Sequence, residues 1–308
     1  MFFFGCSQQK TYEQGWMDDP NVLDPSLDAM PEYLVSNRDV TTISTSNPVI
    51  IAVHGFTAST YEWQDFLEYV HPNFDSNQGA TSNPNKNVYV SLVLLGGHGR
   101  SVTDFRGSLW SEWGKPILDE YNTLVSMGFS NISILGASTA GTLILEHLSN
   151  SAFSSELKHV FFIDSLIVPR DKLLHLVPYV YFLIGDQKND SSTDDEKKHW
   201  YQIKPKEALR ELETLIDRVK QKLEKTITLP EGTVAHVFQS KQDPVVDPIS
   251  AYLIYKGLKT ASGSSINVTP VESSLHVFTR LSGRAIQTLD DQETQQETFS
   301  TIINTITQ

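Results

Sequence analysis

The chain has 308 residues and a formal net charge of −13. Its 17 glycines and 14 prolines are near average usage, which excludes collagen-like and low-complexity architectures, and 15 Phe, 11 Tyr and 5 Trp can furnish a sizeable core. The acidic balance without a Lys/Arg stripe argues against a nucleic-acid partner, and a single cysteine, Cys6, rules out an internal disulfide framework or a multi-thiolate zinc site.

In chain order, the first 47 residues are polar and turn-rich, with Asp18-Asp19-Pro20 and Asp24-Pro25. They read as a leader or tether, with a strand near Glu32–Val35. From residue 48 to 308 the texture is that of one domain. Short β-branched runs at Val49–Val53, Val88–Leu95, Ile132–Leu135, Val160–Ile163, Val234–Phe238 and Ile266–Pro270 predict buried strands. Between them, helices are expected at Tyr61–Val70, Ile117–Met127, Thr142–Leu148 and Ile249–Leu258, with a last one from about Glu293. This alternation specifies an α/β fold with a mostly parallel sheet covered on both faces.

About residues 167 to 230 break the alternation. The apolar run Leu173 to Ile184, interrupted by His175 and Pro178, is shorter than the roughly 20 residues of a membrane span. A charged loop from Gly185 to Lys198 follows. Leu209, Leu212, Leu215, Ile216, Val219 and Leu223 then repeat at the helical period, with Pro205 suited to the first turn. The insertion is expected to be a mostly helical lid over the strand ends, and Leu173 to Phe182 to supply an acyl pocket.

The strongest local motif is Gly136-Ala-Ser138-Thr-Ala-Gly141, where a strand runs into a helix. A serine at such a sharp turn needs small neighbours, and the helix N-terminus supplies N–H donors. A phosphate loop fails because Thr142 stands where its lysine belongs. Strand Val49–Val53 ends in His54-Gly55-Phe56-Thr57; in a serine hydrolase such a loop supplies one backbone N–H to the oxyanion hole, here that of Phe56, and Thr139 the other, while His54 itself reads as structural. Asp243, in Gln239-Ser-Lys-Gln-Asp243-Pro, and His276, in Ser273-Ser-Leu-His276, each follow a strand. The order Ser138, Asp243, His276 is that of a nucleophile, acid and base relay. Asp164 is the alternative acid. Asp247 reads as a helix cap, and His98 in a Gly-rich turn as structural. The nine histidines show no helical pairing for a metal, so neither a metal nor another cofactor is expected.

His54-Gly-Phe, Gly97-His-Gly-Arg-Ser101, Gly136-x-Ser138, Asp243-Pro-Val-Val and His276 together resemble the α/β-hydrolase superfamily. The segment from Lys204 to Val219 is similar to bacterial carboxylesterases of the monoacylglycerol-lipase type. Ala140 stands where the family has glycine. The resemblance implies a small-molecule ester substrate, with Ser138, Asp243 and His276 catalytic, and Phe56 and Thr139 in the oxyanion hole. Thioesterase, amidase, peptidase, C–C hydrolase and non-catalytic binding readings stay open. Gly5-Cys6-Ser7 resembles the end of a bacterial lipoprotein signal, implying membrane attachment through Cys6; otherwise a cytoplasmic enzyme is expected.

Overall fold

A computed structural model describes residues 43–71, 88–171, 185–188 and 193–308. Cys6, the expected strand at Glu32–Val35 and the apolar run Leu173 to Phe182 lie outside the described residues.

Six parallel strands form the central sheet: β1 (Val49–Val53), β2 (Tyr89–Val93), β3 (Ile132–Ala137), β4 (Leu157–Ile163), β8 (Val234–Ser240) and β10 (Asn267–Val271). Their spatial order is β10-β8-β4-β3-β1-β2. The order reverses at β1, so the chain winds outward in both directions and its helices fall on the two faces. The side chains of β1 divide accordingly. Val49, Ile51 and Val53 join one core cluster, while Ile50 and Ala52 join the other. The strand runs contain few polar residues because both faces are covered.

The first face is packed by α3 (Trp110–Ser126), α4 (Thr139–Ser149) and α6 (Lys206–Glu224), whose apolar residues share one cluster. On the other face lie α1 (Gln64–Val70) and α8 (Leu289–Ile306), with Phe66 meeting Phe299 at 5.1 Å between ring centroids. Helix α3 begins seven residues before its expected start at Ile117, because it runs through Pro116. The missing proline N–H leaves the Glu112 carbonyl without its helical donor. Gly96 packs against this turn, donating its N–H to Trp113 O at 3.2 Å. Helix α8 starts four residues before Glu293, where Thr288 and Asp291 form a capping box.

The insertion is described in part. Helix α6 carries the predicted apolar stripe, with all six of its residues buried; each such side chain contributes about 1.5–3 kcal/mol. It packs along α4 and α7 (Ile249–Gly257) as a member of the helical layer, and only Leu209 and Leu212 reach the cavity described below. The charged stretch expected to be a loop up to Lys198 turns helical at α5 (Asp194–His199), opened by a Thr193–Glu196 capping box. Where no strand was expected, β5 (Gln187–Lys188) and β6 (Ile203–Lys204) form a two-residue antiparallel pair, and β7 (Ile227–Thr228) pairs with β9 (Leu258–Lys259). Two further short helices, a 3-10 turn at Thr60–Trp63 and α2 (Val102–Gly107), complete the described elements. Among these residues no helix is long and apolar enough to cross a membrane.

Candidate active site

All the loops that matter leave the same, C-terminal edge of the sheet, as expected where parallel strands end side by side. Ser138 follows β3 and caps α4, with φ 51° and ψ −118°. A non-glycine residue held there stores roughly 1–3 kcal/mol of strain, so its surroundings must overdetermine it. They do so by three backbone bonds: Ser138 N–H to Ile163 O at 2.9 Å, and Gly141 and Leu166 N–H to Ser138 O at 3.1 Å each. The small neighbours are required sterically. A methyl on Gly136 would lie 2.4 Å from Ile144 Cδ1, and one on Gly141 would lie 2.0 Å from Ser165 Oγ. Ala140 is fully buried in the core, and the close approach falls on Gly141. Thr57, Asp164 and Val277 also have positive φ, so backbone strain is concentrated around this edge.

The structure brings Ser138, His276 and Asp243 together. His276 Nε2 lies 3.0 Å from Ser138 Oγ, and Nδ1 lies 2.8 Å from Asp243 Oδ2. The carboxylate can only accept, so Nδ1 carries the proton and Nε2 is left to accept from the serine. Asp243 is fully buried, and its other oxygen takes the N–H groups of Val245 at 2.7 Å and Val246 at 2.9 Å. Burial alone would lower the pKa of His276. The charge and hydrogen bond of Asp243, with the charges of Asp164 and Glu62, raise it above its ordinary value.

Asp164 is near but does different work. Its carboxyl accepts from Ser240 N–H at 2.7 Å, Gln239 Nε2 at 3.1 Å, Ser240 Oγ at 3.1 Å and Val277 N–H at 2.9 Å. It thereby ties β8 and the histidine loop to the end of β4. Burial, and then the neighbouring Asp243 charge, push it up to about 7. Asp247 accepts the Ile249 N–H at 3.0 Å at the start of α7, in keeping with a cap. Asp164, Asp243 and His276 could each turn an atom toward a common point, but every one is committed to the bonds above.

The loop after β1 lies against Ser138, since a methyl on Gly55 would sit 2.9 Å from its Cβ. Leu95 N–H donates to His54 Nε2 at 3.1 Å, which fixes the proton on Nδ1. That nitrogen lies 2.9 Å from Gly55 O, which also accepts from Ala58 N–H at 3.3 Å. Gly55 C=O and Phe56 N–H belong to one peptide plane, so His54 orients the Phe56 N–H although it touches no reacting atom. Thr139 is the first residue of α4, where an N–H has no helical partner. His98 is buried among Phe56, Phe105 and Trp113; burial lowers it to about 3, so it stays neutral.

Ser138 and His276 open into a cavity of about 480 Å³. Leu166, Leu209, Leu212, Val245 and Leu275 give it apolar walls. One wall comes from the insertion. Trp200 lies under the Arg280 guanidinium at 4.3 Å, Arg280 pairs with Glu196, and Thr193 Oγ1 donates to Gly283 O at 2.6 Å. Tyr201 donates its N–H to Thr57 O at 2.9 Å and its hydroxyl to Arg100 O at 2.8 Å. Several site-lining groups escaped the sequence reading, Glu62, Glu196 and Arg284 among them. Glu62 had one signal, a carboxylate on the face that Phe66 continues toward the core, and Glu196 had another in the Thr193-x-x-Glu196 capping box. Arg284, whose guanidinium reaches the carbonyl oxygens of His276 and Val277, had none.

No protein-family model and no curated protein sequence matches the chain. Solved structures do. A metagenome-derived lipolytic enzyme superposes with a TM-score of 0.61 at 20% identity, covering 84% of this chain and 94% of its own. The monoacylglycerol lipase of Paleococcus ferrophilus gives 0.59 at 11% identity, covering 85% and 96%. A soluble variant of the Saccharomyces cerevisiae monoglyceride lipase, bound to a substrate analogue, gives 0.61 at 9% identity, covering 86% and 87%. The chain therefore has the α/β-hydrolase fold.

Proposed function

We propose that this chain is a serine hydrolase that cleaves carboxylic esters through an acyl-enzyme. The observation that carries the reading is the hydrogen-bonded series Ser138–His276–Asp243, whose serine and histidine open into a cavity lined by leucines on part of its wall and by charged side chains on the rest. Ser138 Oγ attacks the ester carbonyl carbon while His276 Nε2 takes its proton, and Asp243 stabilises the imidazolium. The N–H groups of Phe56 and Thr139 hold the tetrahedral oxyanion, each worth about 3–4 kcal/mol in comparable sites. Collapse of this intermediate breaks the carbon–oxygen bond to the alcohol, which leaves with the proton from His276. A water deprotonated by His276 then attacks the acyl-enzyme, releasing the acid and restoring Ser138.

The lipases and monoacylglycerol lipases among the similar structures support an ester rather than an amide substrate. The cavity is within the usual range for small-molecule sites, and its leucines suit a short- to medium-chain acyl group. Each methylene buried there should add about 0.8 kcal/mol until the pocket is full. The test is a series of p-nitrophenyl esters of increasing chain length, with amide and thioester controls, on the wild type and on Ser138→Ala. The expected result is kcat/KM rising and then levelling with chain length, and covalent fluorophosphonate labelling that Ser138→Ala abolishes. Labelling retained in that variant would overturn Ser138 as the nucleophile, and preference for the amide would overturn the substrate class.

A further inference from the structure

The steps above leave a buried carboxyl at the cavity, Glu62, without a part in them. Glu62 sits on the 3-10 turn after β1, 5% exposed, and lines the same cavity as Ser138 and His276. The cations whose charges reach it are His276, Arg280 and Arg284, and each is bonded to other groups. Burying a carboxyl without an ion pair is costly, so the group must return something at this place.

What it holds is the peptide preceding the oxyanion loop. Glu62 Oε1 accepts the Gly55 N–H at 2.8 Å. The next peptide, Gly55 C=O with Phe56 N–H, is held through its oxygen by His54 and Ala58. The two planes meet at the Gly55 α-carbon, so the aim of the Phe56 N–H depends on the Gly55 dihedrals. No side chain can restrict those dihedrals, because a methyl there would meet Ser138 Cβ at 2.9 Å. Position 55 must therefore be the most permissive residue, and its freedom has to be removed by hydrogen bonds on both sides. His54 supplies one side and Glu62 the other.

We propose that Glu62 is a positioning residue for the oxyanion hole, fixing Gly55 so that the Phe56 N–H points where negative charge develops. The inference rests on the hydrolytic reading of Ser138. Burial raises Glu62 above the ordinary carboxyl range while the Gly55 N–H works against that shift, and Oε1 can accept from Gly55 in either protonation state.

The experiment compares the wild type with Glu62→Met, which keeps the length and removes the acceptor, with Glu62→Ala, and with Glu62→Gln, whose amide oxygen can replace it. Rates are referred to Ser138 sites titrated to completion with a fluorophosphonate, so that misfolded protein does not count. The Met and Ala variants should lose roughly 10- to 100-fold in kcat with KM little changed. Their affinity for a boronic acid, which forms a tetrahedral adduct, should fall by the same factor, and Glu62→Gln should recover most of both losses. A purely structural role would lower the number of titrated sites and leave kcat per site intact. Wild-type kcat per site in the Met variant, or a Gln variant as impaired as Met, overturns the inference alone. A wild type that takes no probe and hydrolyses no ester overturns the hydrolytic reading and this inference with it.

Discussion

Asp243→Asn should separate the two buried carboxylates beside His276, and the size of its effect follows from the hydrogen bonds of Asp243. Oδ1 takes two backbone N–H groups, from Val245 and Val246, while Oδ2 faces His276 Nδ1. An asparagine turned with its amide nitrogen toward those backbone groups would oppose donor to donor twice. It therefore turns the nitrogen toward His276 instead. Nδ1 must then accept, the ring proton moves to Nε2, and the nitrogen facing Ser138 can no longer take its proton. A wrong tautomer in such a relay costs about 10⁴-fold in turnover, equivalent to about 5.5 kcal/mol of transition-state stabilisation. Asp164→Asn meets other constraints. Its best orientation keeps the bonds to Ser240 and Gln239 and leaves the Val277 N–H unsatisfied, at about 1–3 kcal/mol of stability. A displaced histidine loop should reduce kcat by no more than roughly 10²-fold. Steady-state hydrolysis of a p-nitrophenyl ester and a melting curve on each variant make the comparison. If Asp164→Asn is the crippled enzyme while Asp243→Asn keeps its rate, the acid lies on β4 and the tautomer argument is wrong.

Two further outcomes are expected. Because His276 is raised above its ordinary value of 6.5 and the proposed mechanism uses it as the neutral base, kcat/KM should fall as pH drops through a midpoint above 6.5 and level off at higher pH. Asp164→Asn, which removes one of the raising charges, should move that midpoint down, and a profile flat from about pH 5 to about pH 9 would contradict a histidine base. Gly141→Ala places a methyl 2.0 Å from Ser165 Oγ, so overpacking of about 1–3 kcal/mol should outweigh the helix-propensity gain of alanine. Calorimetry should show a lower Tm, and an equal or higher one would refute the close-packing account of the turn at Ser138.

The strands were legible because both sheet faces are buried. An unbroken run such as Val49–Val53 has no other stable place, and the strand ends fall within three residues of those expected. Chain order alone pointed to Ser138, Asp243 and His276. What could not be read locally depends on distant partners. Pro116 looks like a helix stop until Gly96 is seen packed against the turn it disrupts. Asp164 and Asp243 both follow strands, and only the four donors around Asp164 separate their duties. The bond between Glu62 and Gly55 requires knowing how tightly the chain turns after β1, which the residues between them do not reveal.

The long-range contact made by Tyr201 also bears on how the molecule comes together. Its hydroxyl reaches Arg100 across 101 residues of chain, Thr193 reaches Gly283 across 90, and His276 reaches Ser138 across 138. Each contact closes a long loop whose entropy is lost before the contact gives anything back. The strands of the central sheet pair across shorter separations, the widest being Val49 with Ile132, whereas the docking of α8 on α1 spans from Phe66 to Phe299. The cavity wall, by contrast, exists only once the loops after β1, β2 and β10 have all arrived. Recovery of esterase turnover during refolding would therefore report the final docking of the chain, well after its helices and its sheet have formed.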